Sequence, residues 1–389
     1  MDRTPSSAST VSDPTHRLTP VVRIAPAKVN LTLAVVGRRP DGFHAIHSVM
    51  APLALADRLS LAPASGRRDT IHVSGADTGP EEHNLVLRAI AEARGAVGAG
   101  WAGGPGAPPT LAARLEKAIP VAAGLAGGSS NAAAAIDGAL EAWGAELSPQ
   151  ERLAVAARLG SDVPFFLAGG IALVEGRGER VRLLTGVRGG GEAPAILLVT
   201  PPVQVATTAV FAAFDAQASP ASAQTRMASE HLAGELERGL SARQLLDRAG
   251  VLASANELLA ATAAVVPGIV AFRRALTRLL GRPVGQSGSG PTCWALYGRL
   301  EEAQETSMDS ARDDPSWPPP PCQQAPRPRN TLSRRNPSPS IGGHAHDSRG
   351  HLDNRRTGGH RALQPGDRRR RARLLRRPDR AGSVDRGAG

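Results

Sequence analysis

The chain is almost without lysine: two lysines stand against 44 arginines in 389 residues, a usage that fits a GC-rich genome. Aromatic residues are also scarce, at 3%, so Val, Leu, Ile and Ala must fill any core. The two cysteines, Cys293 and Cys322, are too few for a disulfide framework, and no Cys/His cluster has zinc-ligand spacing. Cys293 lies in an apolar run and reads as a small buried side chain, in keeping with a reducing compartment. No apolar run approaches the roughly 18 residues that a membrane-spanning helix needs. The first twenty residues, rich in Ser, Thr and Pro, lack the apolar centre of a secretory signal. They read as a disordered leader on a cytoplasmic protein.

What remains is a chain long enough for two ordinary domains, with the 41% hydrophobic content of a soluble globular protein. Its formal net charge of +11 invites a nucleic-acid reading, but the charge is localised. Residues 303–389 hold 18 Arg, no Lys and nine acidic residues, a net of +9, which leaves +2 for the 302 residues before them. That body pairs no basic residues with stacking aromatics, so an RNA-binding protein acting through an arginine-rich tail is the weaker reading. Beyond residue 302 the hydrophobic pattern stops. Pro318 to Pro321 and Arg368 to Arg371 punctuate Ser/Arg/Gly/His mixtures that bury too little apolar surface to offset their ordering entropy. Such a tail is either an arm for nucleic acid or a membrane surface, or GC-rich DNA read out of frame. Its Arg, Pro, Gly and His enrichment favours the second.

Between leader and tail, apolar runs alternate with Gly- and Pro-marked turns, as in a mixed α and β protein. Strands are predicted over Val21 to Ile24, Val29 to Val36, Thr110 to Leu115, Ile196 to Thr200 and Trp294 to Tyr297. Helices are predicted over Asn84 to Ala93, Asn131 to Trp143 and Leu252 to Val265. Ser148-Pro149-Gln150-Glu151 is a capping box with proline at the first helical position. Its helix runs to Leu159 and ends at Gly160, read as a left-handed cap.

The most informative stretch is Pro120, Val121, Ala122, Ala123, Gly124, Leu125, Ala126, Gly127, Gly128, Ser129, Ser130. Glycines let backbone approach a ligand closely, and a helix start directly behind them aims free N–H groups and a positive dipole end at one spot. That suits a polyphosphate, with Ser129 and Ser130 offering hydroxyls to phosphate oxygens or a Mg²⁺ hydration shell. It is neither GxxxxGK[ST] nor GxGxxG. Phosphoryl transfer also needs a group to orient or deprotonate the attacking hydroxyl. Asp162, placed before the apolar Val163-Pro-Phe-Phe166 run, is the candidate, though a lone Asp in a turn more often just caps the chain. Lys28, between two β-like runs, is a compact charge retained where arginine is the rule. Asp41-Gly42-Phe43-His44 is a turn ending in an aromatic and an imidazole. Taken alone, Phe43 reads as core and His44 as a solvated turn residue.

Gly124-Leu-Ala-Gly-Gly-Ser-Ser-Asn-Ala-Ala resembles the ATP-binding motif of the GHMP kinases, in the form found in the branch acting on 4-diphosphocytidyl-2-C-methyl-D-erythritol. Ala126 stands where a glycine is common, a mild departure. Ala25-Pro-Ala-Lys28-Val-Asn30 and Asp162-Val-Pro-Phe are similar to the two motifs that carry that branch's active-site residues. The resemblance implies that Asp162 accepts the substrate's proton and that Lys28 keeps it ionised and steadies charge on the transferring group. It further implies that Asp41-Gly-Phe43-His44 reads the cytosine and that Asn30 contacts the polyol. Ala206-Thr207-Thr208-Ala209-Val210-Phe211 would place Thr207 on the substrate and Phe211 as a second wall of the base slot, although Ala206 and Thr208 depart from the family's pattern. Ser287-Gly-Ser-Gly290-Pro-Thr-Cys293 is similar to the third GHMP motif.

The implied fold is α+β: an N-terminal domain like ribosomal protein S5 domain 2 over 21–190, and a ferredoxin-like domain over 191–302. The implied reaction is Mg²⁺- and ATP-dependent phosphorylation of the substrate's 2-hydroxyl, in line and without a phosphoenzyme, in the methylerythritol phosphate pathway of isoprenoid biosynthesis. The alternative is another GHMP kinase, for homoserine or mevalonate. Expected partners are the small-molecule substrate alone, with no membrane and no nucleic acid, on a monomer or homodimer.

Overall fold

The computed structural model describes residues 20–98, 101, 103, 106–188, 194–217, 223–313 and 322–324. By its contacts the chain separates into two units, 1–331 and 332–389, and every described residue belongs to the first. The leader before Pro20, the domain boundary at 190 and nearly all of the tail lie outside the described residues.

The first half runs β1 (Val21–Asn30), β2 (Ala34–Arg38), β3 (His44–Pro63), β4 (Thr70–Ser74), α1 (Leu85–Val97), β5 (Leu111–Glu116), α2 (Gly127–Trp143), α3 (Pro149–Leu159), α4 (Val163–Ala168), β6 (Ala172–Gly176) and β7 (Arg180–Leu183). The second half runs β8 (Val187–Arg188), β9 (Ala195–Val199), α5 (Thr207–Ala216), α6 (Ala223–Glu237), β10 (Leu240–Ser241), α7 (Ala242–Asp247), α8 (Ala249–Ser254), α9 (Leu259–Val265), α10 (Ile269–Leu280), β11 (Gly285–Gln286), β12 (Cys293–Tyr297), α11 (Leu300–Asp313) and β13 (Cys322–Gln324).

The 20-residue β3 is the spine of a seven-stranded sheet. Along one edge it pairs antiparallel with β1 and then β2, and along the other with β5 and then β6. Thus Leu59 faces Arg23 and Leu115, while Met50 faces Asn30 and Ala172. Alternation along β5, with Leu111, Ala113 and Leu115 buried, turns one sheet face onto α1, α2 and α3. The alanines of α2 let that helix lie close to the sheet: Ala132, Ala135 and Ala139 are fully buried, and a Cβ on Gly138 would meet Leu61 at 2.8 Å. The opposite face carries Val29, Leu31, Val49, Leu53 and Leu173, which pack with α6, α8, β9 and β12. A second sheet, ordered β11-β12-β9-β13, is antiparallel throughout and packs on α10 and the start of α11.

Several expectations need correcting. The first β-like run continues through Lys28 to Asn30 as one strand, with a register shift between Pro26 and Lys28, while the second run, Val29 to Val36, is divided at residues 31–33 between β1 and β2. α2 begins at Gly127, four residues before the predicted Asn131. The capping box of Ser148 and Glu151 forms as read, but Gly160 is extended (φ 171°) and is no left-handed cap. The helix predicted over Leu252 to Val265 is broken: Leu33 donates to Ala255 O (2.7 Å) and accepts from Glu257 N (2.9 Å), so residues 255–257 act as backbone partners of the β1–β2 connection. The tail boundary at 302 falls inside α11, where Ala303 is fully buried.

Candidate active site

The loop before α2 has positive φ at every second residue: Ala122 (54°), Gly124 (76°) and Ala126 (55°). Such alternation turns successive N–H groups toward one concavity, a nest for anions. The loop then enters α2, whose N-cap residue Ala126 offers no side-chain acceptor to the first-turn amides. The close approach that glycine permits is used by protein as well. A Cβ on Gly124 would sit 2.4 Å from Ser287 O and 2.8 Å from Gly290 O.

The Ser287–Cys293 segment is the loop's support. Ser287 Oγ donates to Gly124 O (2.9 Å), and Thr292 N donates to Ala123 O (3.3 Å). Asn256, in the break between α8 and α9, donates to Gln286 O (3.1 Å) and Gly288 O (2.9 Å) and so fixes the segment. Thr207, the first residue of α5, meets Ser289 Oγ at 3.1 Å.

Lys28 reaches this place from β1, its N–H donating to Leu125 O (3.1 Å). Its side chain is 5% exposed, and Nζ lies 3.6 Å from Asp162 Oδ2. Nζ also donates to Asn30 Oδ1 (2.6 Å), and Asn30 Nδ2 donates to Ser48 Oγ (2.8 Å). Asn30 is therefore buried with both ends of its amide engaged, and its nearest partner is the lysine. Asp162 occupies the N-cap position of α4 but makes no cap hydrogen bond, and its side chain is 26% exposed. The carboxylate is thus not spent on helix capping. Ser129 Oγ lies 3.9 Å from where a Cβ of Gly160 would be, so the start of α2 faces the segment that carries Asp162.

The turn between β2 and β3 closes with Arg39 N donating to Phe43 O (2.7 Å) and Gly42 at φ 83°. Here the structure reverses what the isolated residues suggest. Phe43 is half-exposed, with the Arg177 guanidinium 5.2 Å from its ring centroid, while the His44 side chain is 9% exposed. His44 stacks on Phe211 (centroids 4.8 Å apart, 23° between planes), and its Nε2 is 2.6 Å from Asp215 Oδ1. His44 and Phe211 are in contact, so no base fits between that pair.

A triphosphate fits the nest and the uncapped start of α2. For a metal, no group of three or more His, Cys, Asp or Glu side chains exists among the described residues. Ser130 Oγ, however, is buried without a hydrogen-bond partner. The hydroxyl oxygens of Ser129 and Ser130, together with phosphate oxygens, are hard donors of the kind Mg²⁺ takes in phosphoryl-transfer sites.

The structure therefore brings Lys28, Asn30, Asp162, Gly124 and the Ser287 segment together, and joins His44 with Phe211 and Asp215 in a second cluster, while Phe43 on the adjoining turn faces Arg177 instead. Sequence reasoning missed Asp215, Arg177, Ser48 and Asn256, which carry no motif. It also missed Lys117, which its rarity could have flagged: Lys117 lies beneath the glycine loop, paired with the buried Asp57.

By its sequence and its fold the chain belongs to the GHMP kinases. Residues 84–170 match the GHMP kinases N terminal domain, and the α+β halves form the GHMP kinase fold. The chain is 38% identical over 296 residues to the 4-diphosphocytidyl-2-C-methyl-D-erythritol kinase of Pelotomaculum thermopropionicum, covering 76% of this chain and 95% of that relative. It is 36% identical over 308 residues to the enzyme of the same name from Deinococcus radiodurans, covering 78% and 93%. A solved 4-(cytidine 5'-diphospho)-2C-methyl-D-erythritol kinase superposes with a TM-score of 0.56 at 31% identity, covering 78% of this chain and 98% of that one. The homoserine kinase of Cytophaga hutchinsonii shares the fold (TM-score 0.54) at 17% identity, covering 82% and 97%.

Proposed function

We propose that this chain transfers the γ-phosphoryl group of ATP to the 2-hydroxyl of 4-diphosphocytidyl-2-C-methyl-D-erythritol, in the methylerythritol phosphate route to isoprenoids. The observation that carries the chemistry is the Lys28–Asp162 pair, 3.6 Å apart beside the nest. The substrate is drawn from the relatives and from the hairpin cluster. Asp162 accepts the hydroxyl proton as the hydroxyl oxygen bonds to the γ-phosphorus and the bond to ADP breaks. Lys28, fixed by Asn30, places a positive charge where negative charge develops. The nest and the first turn of α2 hold the phosphates; the hydroxyls of Ser129 and Ser130 would face Mg²⁺ or its hydration shell, and the ion would supply charge neutralisation on the phosphates.

On the substrate side, Asp215 accepting from His44 Nε2–H leaves Nδ1 as an acceptor, matched to the exocyclic amine of cytosine. The exposed Phe43 ring offers a stacking face, and Thr207 stands at the junction with the Ser287 segment. No helix among the described residues is long and apolar enough to cross a membrane. The proposal places the enzyme in the cytoplasm, with its substrates.

The test is ATP consumption with the cytidine-diphospho substrate against homoserine and mevalonate. Turnover with the first and not with the other two is expected. Faster turnover with homoserine or mevalonate would sink the substrate assignment while leaving the kinase class intact.

A further inference from the structure

The chain's two lysines lie on either side of the glycine loop. Lys28 is above it at the reacting centre, and Lys117 sits below, between the end of β5 and the loop. Lys117 is engaged within the protein: its side chain is 4% exposed and ion-paired with Asp57, whose side chain is fully buried. Lys117 Nζ also donates to Asn131 Oδ1 (3.2 Å), and Asn131 Nδ2 donates to Asp57 Oδ2 (2.8 Å). The other carboxylate oxygen of Asp57 accepts from Ala118 N (2.8 Å) and Ile119 N (2.9 Å). Three elements are joined at one point: β3 through Asp57, the approach to the loop through residues 117–119, and the second turn of α2 through Asn131.

A buried ion pair contributes little net stability over an apolar replacement, because desolvation cancels most of the attraction. The placement is also against the helix field. A Cβ on Gly127 would stand 3.1 Å from Lys117 Nζ, so an ammonium lies at the positive end of α2, where a cation alone is disfavoured. Asp57 neutralises it. Gly127 leaves room for a compact ammonium; the longer planar guanidinium used almost everywhere else in this chain is a poor fit.

We infer that Asp57, Lys117 and Asn131 are positioning residues that set the height and pitch of the α2 start against the glycine loop, and thereby the affinity for the nucleotide's phosphates. The inference rests on the phosphate site of the proposed function but not on the identity of the acceptor. Both ends of the nest are then fixed by side chains outside it: Asn256 and Ser287 hold the loop from one side, and the Asp57 cluster holds the helix start from the other.

Asn131→Ala removes one tie and leaves the ion pair in place. The double variant Asp57→Asn/Lys117→Met leaves no unpaired buried charge. In both, Mg-ADP binding by titration calorimetry is expected to weaken at least about tenfold, since small displacements of positioned groups cost that much. KM for ATP should rise in step. The dissociation constant for the cytidine-diphospho substrate, and kcat at saturation of both substrates, should stay within about threefold. Unchanged Mg-ADP affinity in both variants would overturn the inference. So would a kcat that falls with the folded fraction while both KM values stay fixed, the signature of a purely structural cluster. A wild-type chain that binds Mg-ADP but does not phosphorylate the cytidine compound would defeat the substrate assignment and leave the Mg-ADP comparison fully readable.

Discussion

At the scale of single residues, Ala126 shows what sequence alone undervalues. Its methyl group reads as a mild departure from glycine, yet the residue sits at φ 55°, where a Cβ costs about 1 kcal/mol. Ala126→Gly should therefore raise stability by about 1 kcal/mol in a thermal or urea melt, with turnover retained. A lower melting temperature would contradict that backbone assignment. Cys293 behaves oppositely, as its apolar run predicts. It is fully buried on β12, and burial pushes its thiol up to about 12. The thiolate is the reactive form, so Cys293 should resist alkylation at neutral pH in the native protein and react after denaturation in urea. Peptide mapping of the alkylated protein reads this directly.

At the scale of elements, the strongest local signals were legible and the tertiary ones were not. The Ser148–Glu151 box is written in four residues and forms as read. The start of α2 was misplaced because Gly127, Gly128 and the serines have poor helix propensity; the anion-ready loop geometry and the Asp57 cluster hold them helical instead. The break at Ala255–Glu257 left no trace in an alanine-rich pattern, since its cause is a partner over 200 positions away, Leu33. Of the site, the glycine loop, Lys28 and Asp162 were readable as motifs. Asp215, Asn256 and Asp57 act through residues distant in sequence and were not.

The junction of β3 and α6 carries a pH dependence. His47 is buried on β3, with Nδ1 2.9 Å from Ser229 Oγ of α6. Desolvation holds its imidazole below the usual 6.5; nearby Glu175 and Glu230 oppose that effect, and Arg226 and Arg182 add to it. On acidification the unfolded chain takes up this proton first. The contribution to stability is complete above the unfolded value and is lost progressively as pH falls from there through the lower folded value. The melting temperature of the wild type should drop more steeply than that of His47→Gln between about pH 7.5 and about pH 5.5. Parallel curves would show that His47 does not govern this window.

At the scale of the whole molecule, both halves supply residues to one site. The seven-stranded sheet delivers Lys28 and backs the glycine loop, while the second half delivers Asn256, Ser287 and Thr207 to that loop's other side. All these contacts fall within residues 1–331, so removing residues 332–389 should leave kcat and both KM values within about twofold of the full chain. A truncation after 302 is a different experiment, because it removes the buried Ala303 and nearly all of α11. It should cost stability.

The central claim is that Asp162 and Lys28 act together at a phosphate nest. The most direct measurement is kcat for Asp162→Asn and Lys28→Met alongside their Mg-ADP dissociation constants. For Asp162→Asn the account predicts a loss of about 10²- to 10⁴-fold in kcat, the range of a general base, with Mg-ADP binding close to wild type. Lys28→Met should also lose most of its turnover. A variant lacking the Asp162 carboxylate that turns over at the wild-type rate would contradict the account.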